Sequence, residues 1–411
     1  MVSRKQRLIV GFILRPFLYC LYFVSGFFNR NSHVWVFGTW GGERLSDNSA
    51  ALFRYCCALE DKTIRAVWIS PQQSVRRQVR SEGLEAHHPW SLGGIAACLK
   101  AGIYIFDVNI KDINYWLSRG AKSTLLRHGT GIKKIARATD NPSRRLYRLF
   151  YGNWWERATL RFFLPWHTAN IDLVMATSEQ HAEQGQLFYG VNRKQVVVTG
   201  FPRNDILFSN DLNEDDDIAS AWVNESHQLG KQVFVYMPTF RDDNRPAYPY
   251  SWEALDEIAG RMDIRILARL HPIDTAIPSK QQSNRFINIR LHDQTSDLYQ
   301  LFGKIDCLIT DYSSVVYDFM LLGKPIIFFC PDLNDFLRNS RSFCFDYQDV
   351  TPAPKVKTLA ELESIIKKIV DNDSELTRWH EQYQQVLKRF HFFQDGQSSA
   401  RCHKAILERL V

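Results

Sequence analysis

The sequence of 411 residues has no cysteine pattern typical of a metal site or a disulfide framework. It contains eight cysteines but no CxxC pair, and its cysteines and histidines show no metal-binding spacing. Cys56 and Cys57 are adjacent, and others, such as Cys98 and Cys307, lie among apolar residues. Scattered cysteines of this kind are typical of buried free thiols in a reducing compartment. We therefore predict no metal site and a chain that faces the cytosol.

Other features are missing too, and each absence removes a class of protein. There is no low-complexity tract and no internal repeat, which favours an ordinary folded globular protein. The glycine patterns of dinucleotide-binding and P-loop folds are absent, and no pair of acids stands out as an acid–base couple. The chemistry must therefore come from a different set of residues.

Residues 1–30 lack the features of a signal peptide or a spanning helix. The segment begins basic and apolar, but Arg15 and Pro16 interrupt the apolar run and no small-residue cleavage site follows. A spanning helix needs about 20 apolar residues, and an arginine near its middle is costly. We expect an amphipathic helix that lies in the membrane interface, with a plain buried helix as the alternative.

The sequence does contain the alternation of an α/β protein. Its length favours two domains, and from His33 onward apolar strands alternate with helical segments, interrupted by an acidic stretch at Asn210–Asp217. This alternation is typical of doubly wound α/β domains, which bind ligands at the carboxyl ends of their strands. We predict an N-terminal domain over residues 31–209, a C-terminal domain over residues 218–395 and a last helix over residues 396–411.

The stretch Cys307–Phe329 contains one strand–helix–strand unit of the second domain. Its first strand stops at Thr310, and Asp311, Ser313 and Ser314 follow where a helix begins. Small polar residues cap a helix at such a position, and the free N–H groups of the helix and its positive dipole end favour an anion such as phosphate. The turn alone is equally consistent with simple helix capping.

Polar side chains also follow the other predicted strands. They are His128, Gly129, Thr130, Arg203 and Asp205 in the first domain and Thr239, Arg241 and His271 in the second. His128 lies between a strand end and a glycine, so its ring can approach a substrate and act as a general base near neutral pH. His271 precedes a proline, which holds its backbone extended, and we expect its ring to contact a phosphate. We expect no role for the remaining histidines.

Residues 133–166 combine basic and aromatic side chains. Residues 1–205 hold 28 of the 51 lysines and arginines but only 14 of the 44 acidic residues. The candidate membrane-facing residues are Arg144, Arg145, Arg148, Trp154, Trp155 and Arg161. This mixture suits an anionic lipid surface, although nucleic acid, or a core packed against an ordinary amphipathic helix, would also accept it. Because residues 1–30 also point to a membrane, we favour lipid and expect no nucleic acid.

Five ordered motifs resemble a known family, the CDP-glycerol glycerophosphotransferases that build teichoic-acid and related capsule polymers. The motifs are RHGTGIKKI, TGFPRND, YMPTFRD, LARLHP and LITDYSSVVYDFMLLGKPIIFF, followed by FCFDYQDV, PAPKVKTLAEL and Phe393–Gly396 with Arg401. The resemblance runs from about Trp35 to Arg401. Two positions depart from the family pattern: Gly131 replaces the usual proline after HGT, and Ala353 replaces the usual glycine between two prolines.

The resemblance implies a GT-B-like α/β fold, with two Rossmann-like domains facing a central cleft and a last helix after Gly396 that crosses back to the first domain. It also implies peripheral attachment to the cytoplasmic face of the cell membrane. By position, His128 is the catalytic base and His271 contacts the donor phosphate. The implied donor-binding residues are Arg241, Thr310, Asp311, Ser313 and Ser314. The departure at Gly131 lies beside the presumed acceptor and weakens the acceptor assignment.

We therefore expect an enzyme that transfers glycerol phosphate, or a related polyol phosphate, from a CDP-linked donor to a hydroxyl of a lipid-linked cell-surface polymer or its primer, with release of CMP. Such a reaction needs mainly positioning and charge stabilisation, so we expect no tightly bound cofactor and leave Mg²⁺ open. The alternatives are a GT-B glycosyltransferase that uses a nucleotide sugar, or a non-catalytic module that binds membranes or nucleic acid. The choice of glycerol or ribitol, and of primer enzyme or polymerase, also stays open.

Overall fold

The computed structural model describes residues 4–209, 218–241, 251–270, 285–292, 297–339, 342–373 and 379–411, with side chains from residue 14 onward except that of Asn339. His271, the predicted phosphate contact, lies outside the described residues. The strands are β1 (Asn31–Gly38), β2 (Arg65–Ile69), β3 (Ala86–His87), β4 (Ala101–Phe106), β5 (Lys122–Leu125), β6 (Leu173–Ala176), β7 (Val196–Val198), β8 (Val233–Met237), β9 (Arg265–Ala268), β10 (Ile289–Leu291), β11 (Cys307–Thr310), β12 (Ile326–Phe329) and β13 (Lys355–Val356).

The helices alternate with these strands. The α-helices are α1 (Arg4–Ser25), α2 (Asp47–Ala58), α3 (Gln73–Ser81), α4 (Leu92–Lys100), α5 (Arg145–Tyr151), α6 (Trp154–Phe163), α7 (Glu179–Tyr189), α8 (Ile218–Gln228), α9 (Trp252–Arg261), α10 (Val315–Met320), α11 (Leu333–Asn339), α12 (Leu359–Val370), α13 (His380–Phe390) and α14 (Ser398–Leu410). The last of these matches the helix that the sequence predicts near the end of the chain.

The chain divides into two compact units. Unit 1 comprises Met1–His128, Asn141–Asp205 and Gln397–Val411, and unit 2 comprises Gly129–Asp140 and Ile206–Gly396. Each unit contains one parallel sheet, with the strand order β3-β2-β1-β4-β5-β6-β7 in unit 1 and β10-β9-β8-β11-β12-β13 in unit 2. In both orders the direction of winding reverses beside the first strand, as in Rossmann folds. The predicted α/β class with two Rossmann-like units is confirmed, while the cleft stays a prediction.

Both sheets carry apolar cores on their two faces, because successive strand residues point to opposite sides. In unit 1, Trp35 and Phe37 of β1 pack on the side of α2, and Val36 packs on the side of α4. In unit 2, Val235 of β8 and Phe234 beside it likewise enter two separate cores. This covering of both faces explains why the strands read as continuous apolar runs. The two-residue strands β3 and β13 are too short to give such a run and were not predicted.

Residues 129–140 belong to unit 2, whereas the predicted N-terminal domain included them. Ile132 is buried in the core of unit 2. The backbone N–H of Cys344 donates to the carbonyl of Ile132 at 2.7 Å, and the N–H of Lys134 donates to the carbonyl of Ser342 at 2.8 Å. These contacts connect segments that lie far apart in sequence, so no local pattern announces them. The chain therefore leaves unit 1 directly after His128.

The two ends of the chain both pack on unit 1. Cys402 and Ile406 of α14 are buried in its core. Near the other end, Tyr22 of α1 stacks on Tyr115 with 4.8 Å between ring centroids. Residues 1–30 therefore do not form a separate segment, because the second half of α1 is docked on the body of unit 1.

Candidate active site

The candidate residues of unit 1 lie at the carboxyl edge of its sheet. Trp40 follows β1, Asp107 follows β4, and His128 comes shortly after β5. Because β4 pairs with both β1 and β5, these three positions are neighbours along the edge. The β1–β4 pair is also the switch point at which open α/β sheets bind ligands.

His128 has the surroundings of a general base. Its half-buried ring places Nδ1 3.5 Å from the carbonyl oxygen of Asp107, at the outer limit for a hydrogen bond. A carbonyl oxygen can only accept, so this contact favours the tautomer with the proton on Nδ1 and with Nε2 as the basic nitrogen. The ring of Trp40 lies edge-on at 5.1 Å between centroids. Burial lowers the pKa of His128, and the nearby Asp47 carboxylate opposes that effect. The net direction of the shift favours the neutral imidazole, which is the form that can accept a proton.

Arg203 lies beside His128, with its guanidinium buried against Asp47. Its Nη1 donates to a carboxylate oxygen of Asp47 and, at 3.0 Å, to the carbonyl oxygen of His128. The second carboxylate oxygen of Asp47 accepts the indole N–H of Trp40 at 3.0 Å. One carboxylate thus connects the backbone of His128, through Arg203, to the ring packed on its side chain.

The remaining candidates of unit 1 and its boundary have other surroundings. The carboxylate of Asp205 accepts the backbone N–H groups of Ser398 and Ser399 at 2.8 and 2.7 Å, so it caps α14. Gly129 and Thr130 already belong to unit 2. Gly129 has a φ of 153°, which disfavours any side chain, and Thr130 is buried. Of the predicted residues of unit 1 other than His128, Arg203 is the one described above in contact with it.

In unit 2, the candidates gather at the equivalent switch point, between β8 and β11. Arg241 is 3% exposed. Its Nη1 donates to Asp311 at 2.9 Å, and its Nε and Nη2 donate to Asp332 at 2.7 and 2.9 Å. The guanidinium also lies 5.0 Å from the ring centroid of Tyr312, whose hydroxyl donates to Asp332 at 2.9 Å. We call Arg241, Asp311, Asp332 and Tyr312 the Arg241 cluster.

The Arg241 cluster is internally paired. Nη1 of Arg241 also donates to the carbonyl oxygen of Thr239, whose own backbone N–H donates to Asp311 at 2.8 Å. Two carboxylates flank the single guanidinium and raise its pKa against the opposing effect of burial. Arg241 was predicted to line the donor pyrophosphate, and this geometry favours a different task, since most of its donors are already used. It holds the two strand ends and their aspartates together.

The turn after β11 differs from simple helix capping. The hydroxyl of Thr310 donates to the carbonyl oxygen of Met237 at 2.7 Å and so ties β11 to β8. Ser314 is the residue before α10, yet its side chain makes no capping hydrogen bond. Ser313 accepts the N–H of Val315 only at 3.4 Å, near the limit for such a bond. Both serines are half-buried. Neither serine is therefore a regular cap of α10.

Within the described ranges, no group of three or more His, Cys, Asp or Glu side chains is arranged to hold a metal ion. All eight cysteines are free thiols, and five of them are buried. Burial raises the pKa of Cys98 and Cys402 to about 12, so these thiols stay protonated. They serve as core side chains rather than as nucleophiles.

The two predicted membrane segments meet on one side of unit 1. Tyr19 of α1 stacks on Phe162 of α6 with 5.5 Å between centroids, and its hydroxyl donates to the carbonyl oxygen of Phe162 at 3.1 Å. The guanidinium of Arg15 lies 5.4 Å from the ring centroids of both Trp116 and Trp166. Arg15, which interrupts the apolar run in the sequence, therefore fastens α1 to the unit through aromatic rings.

Large apolar side chains are exposed next to these contacts. Trp154 and Trp155 of α6 are 62% and 72% exposed, and Phe17 of α1 is 70% exposed. Arg145 and Arg148 of α5 and Arg161 of α6 are exposed as well. Arg144, at the start of α5, is half-buried. We call these seven residues the basic–aromatic surface. No helix in the part of the chain that the structure describes combines the length and hydropathy needed to cross a bilayer.

Sequence reasoning missed several residues around His128 and Arg241. Asp47 and Asn48 are the first residues of α2. The Asn48 amide donates to the carbonyl of Arg127 at 2.8 Å, and its oxygen accepts the backbone N–H of Arg203 at 3.1 Å. Asp332 was not singled out at all. A signal existed for the first pair, since DNS follows the glycine turn after β1 at a strand end. None existed for Asp332, which lies 91 residues from Arg241.

Comparison with known proteins agrees with the motifs. A model of the family described as CDP-glycerol:poly(glycerophosphate) glycerophosphotransferase matches residues 20–408. A teichoic acid glycerol-phosphate transferase of Staphylococcus aureus is 25% identical over 393 residues, which cover 92% of this chain and 94% of that protein. A teichoic acid poly(ribitol-phosphate) polymerase of Bacillus spizizenii is 31% identical over 248 residues, 56% of this chain and 36% of that protein.

A solved structure has a similar fold. The wall teichoic acid polymerase TagF superimposes with a TM-score of 0.73 at 21% identity, over 99% of this chain and 98% of the solved chain. A variant of that polymerase, soaked with CDPG, gives a TM-score of 0.74 at the same identity and covers 99% of this chain and 97% of its own. At 21% identity this similarity shows that the two proteins share a fold. In this chain that fold consists of the two parallel sheets described above and the helices that cover them.

Proposed function

This chain belongs to the CDP-glycerol:poly(glycerophosphate) glycerophosphotransferase family, and on that premise we propose that it transfers glycerol phosphate from CDP-glycerol to a hydroxyl of a lipid-linked cell-surface polymer or its primer. The family match over residues 20–408 supports the reaction class. The rival activity, transfer of a sugar from a nucleotide sugar, rests on the fold alone, which hosts many chemistries. A module without activity would not need a neutral histidine at a sheet switch point.

His128 is the general base of the proposed reaction. The acceptor oxygen attacks the β-phosphorus of CDP-glycerol in line, and a new O–P bond forms while the bond from that phosphorus to the bridging oxygen breaks. CMP leaves with the bridging oxygen, and the acceptor proton passes to Nε2 of His128. The lowered pKa of His128 supports this role, since a base must be unprotonated before it acts.

Unit 2 binds the donor in this proposal. Ser313 and Ser314 contact the pyrophosphate, and the Arg241 cluster fixes the end of β11, the strand that both serines follow. Such transfer depends mainly on positioning and on stabilising the charge of the phosphoryl group. His271 remains a proposed phosphate contact on the strength of the resemblance. The proposal includes no tightly bound cofactor, and Mg²⁺ that arrives with the donor is compatible with it.

The observation that carries the proposal is the placement of His128, with Nδ1 directed to the Asp107 carbonyl and a lowered pKa. The test is release of CMP from CDP-glycerol with a lipid-linked acceptor, and mass analysis of the product. His128→Ala should lower kcat by about 10²- to 10⁴-fold. His33→Ala, at an exposed histidine of the same unit, is the matched control and should keep full activity. Undiminished turnover by His128→Ala would falsify the base assignment.

The same assay decides between donors. CDP-glycerol and CDP-ribitol are supplied in parallel, because relatives of both kinds match this chain. We expect CDP-glycerol to be the better substrate, since the relative covered over nearly its whole length is a glycerol-phosphate transferase. A product lengthened by one unit would indicate a primer enzyme, and a ladder of products would indicate a polymerase.

We further propose peripheral membrane association through the basic–aromatic surface. Exposed tryptophans beside arginines favour the interface of an anionic bilayer, and an acceptor confined to that interface is met at a higher effective concentration. In a flotation assay with anionic vesicles, a variant with Trp154 and Trp155 changed to Ser and Arg145 and Arg148 changed to Gln should stay at the bottom of the gradient. Exchange of the exposed residues Arg77 and Lys100 for Gln provides a charge-removal control. Equal flotation of the first variant and the wild type would refute the surface assignment.

A further inference from the structure

We propose that Asp47 is the positioning residue of His128, holding the imidazole in its basic orientation through Trp40 on one side and Arg203 on the other. The inference deepens the proposed function and rests on it for the role of His128. Asp47 is the first residue of α2. In the structure its carboxylate is 8% exposed and sits between the two groups that contact His128.

We call Asp47, Trp40 and Arg203 the clamp, and these residues contact His128 in two places. In the first, one carboxylate oxygen of Asp47 accepts the indole N–H of Trp40 at 3.0 Å, and the Trp40 ring lies edge-on to the His128 ring at 5.1 Å. In the second, the other carboxylate oxygen accepts Nη1 of Arg203, which also donates to the His128 carbonyl at 3.0 Å. The position of the His128 ring and that of its backbone therefore both depend on one carboxylate, that of Asp47. A fixed base loses no free energy to reorientation during proton transfer.

Backbone strain is concentrated at the same place. Asp47, Trp40 and Arg127, the neighbour of His128, have φ values of 69°, 47° and 68°. These are three of the six positive-φ residues other than glycine in the described chain. Positive φ is unfavourable for side chains of this kind and persists only where the surrounding contacts enforce it. Strain gathered around one histidine is expected at a functional site, and helix capping does not require it.

Electrostatics give the clamp a second consequence. The charged side chains near His128 are Asp47 from α2, Arg203 from the segment after β7 and Arg127 from its own segment. Asp107, after β4, faces the ring with its carbonyl oxygen. The Asp47 carboxylate raises the pKa of His128, while burial and the two arginines lower it. When His128 takes the acceptor proton, Asp47 is the anion that stabilises the imidazolium.

The test compares variants that move this balance in opposite directions. Asp47→Asn removes the carboxylate and leaves the arginines, so the pKa of His128 should fall by about one pH unit. Arg203→Gln removes a cation, so the pKa should rise. Asp61→Asn, at an exposed aspartate of unit 1, should change nothing. The readout is NMR titration of the His128 Cε1 proton in the full chain, assigned by its loss in His128→Ala.

Kinetics supply the second readout. In Asp47→Asn, kcat should fall at least about tenfold while KM for CDP-glycerol stays unchanged, and the acidic limb of the pH profile should move to lower pH together with the NMR value. Opposite shifts of the His128 pKa in the two variants support the clamp. Absence of any shift, or shifts of the same sign, would overturn it, since general damage to folding gives no such sign change.

The titration also separates this inference from the proposed function. If wild-type protein releases no CMP from CDP-glycerol, the proposed function fails, and the NMR shifts still decide whether Asp47 governs His128. If turnover is present and Asp47→Asn leaves both kcat and the His128 pKa at their wild-type values, the clamp alone is wrong. Trp40→Phe, which keeps an aromatic ring beside His128 and removes the indole N–H, should reproduce part of the loss in kcat.

Discussion

The two candidate sites occupy equivalent positions in their sheets and use their charges differently. At the β8–β11 switch point of unit 2, Arg241 and Asp311 are 3% and 2% exposed and are paired with one another. At the β1–β4 switch point of unit 1, the buried pair of Arg203 and Asp47 surrounds a histidine that is only half-buried. The charges of unit 2 stabilise the fold around the strand ends. The charges of unit 1 position a reactive side chain, His128.

This difference separates stability from turnover. A buried ion pair contributes little net stability when it is complete, but removal of one partner leaves an uncompensated charge. Mutations of the Arg241 cluster should therefore appear first in unfolding, whereas mutations at His128 should appear first in kcat. A charged residue at a strand end is thus an ambiguous sign of function until its partners are known.

The largest expected effect is the loss of Arg241. Arg241→Met keeps the length of the side chain but leaves Asp311 and Asp332 without their cation, so the free energy of unfolding should fall by about 3–5 kcal/mol. Urea denaturation followed by circular dichroism measures the change. His128→Ala should unfold at the wild-type urea concentration.

Arg261 offers a matched control in the same unit, since it pairs with Glu363 at 2.8 Å but is exposed to solvent. Arg261→Met should leave the unfolding midpoint close to that of the wild type. If Arg241→Met instead unfolds normally and only raises KM for CDP-glycerol, Arg241 contacts the donor directly and the contrast between the two sites is lost.

A smaller effect is expected at the turn after β11. Ser314→Ala should raise KM for CDP-glycerol about tenfold, because one hydrogen bond to a charged phosphate is lost. The unfolding free energy should hardly change, since Ser314 caps nothing in the structure. Thr358 is the control, because its hydroxyl does accept the N–H of Glu361 at 3.2 Å as the cap of α12. Thr358→Ala should lose about 1 kcal/mol of stability and keep its KM. If Ser314→Ala, like Thr358→Ala, loses stability and keeps its KM, Ser314 is a helix cap and not a donor contact.

The fold was largely predictable because its signals are local. An apolar run such as Leu173–Ala176, followed by polar residues and a helix, indicates a buried parallel strand wherever it occurs. The helix Ser398–Leu410 lies within the last helix that the sequence predicts over residues 396–411. Strands of two residues carry no such pattern, and the sequence analysis missed both of them.

The site was predictable only in part, because its partnerships are distant. The positions of His128 and Arg241 follow from strand ends, but the pairing of Arg203 with Asp47 spans 156 residues and that of Arg241 with Asp332 spans 91. No local rule reports whether a strand-end arginine faces a ligand or a buried aspartate. The same limit explains the course of residues 129–140, whose pairing with residues 342–344 is set by tertiary contacts.

The smallest expected effect is a shift in the pH at which activity falls on the acidic side, which the surroundings of His128 in unit 1 determine. Burial lowers the pKa of His128, so the base stays unprotonated, and the enzyme active, to a pH below the ordinary histidine value of about 6.5. Asp47 opposes the effect of burial, so the limb should lie less far below that value than burial alone would place it. A profile of kcat/KM against pH measures it, and a limb above pH 7 would contradict the assigned surroundings of His128.

A second group of unit 1 titrates in the same range and must be separated from His128. Burial raises the pKa of Asp112 to about 6, in spite of the backbone N–H groups of Gly41, Val108 and Asn109 that it accepts. Protonation of Asp112 would disturb the turn that carries Trp40, so either group could set the limb of a simple profile. The His128 Cε1 proton distinguishes them. If the NMR midpoint of His128 coincides with the pH at which kcat/KM falls, His128 is the titrating base. If kcat/KM falls near pH 6 while the His128 midpoint lies elsewhere, the loop held by Asp112 controls activity. The site of unit 1 then depends on Asp112 as well as on Asp47.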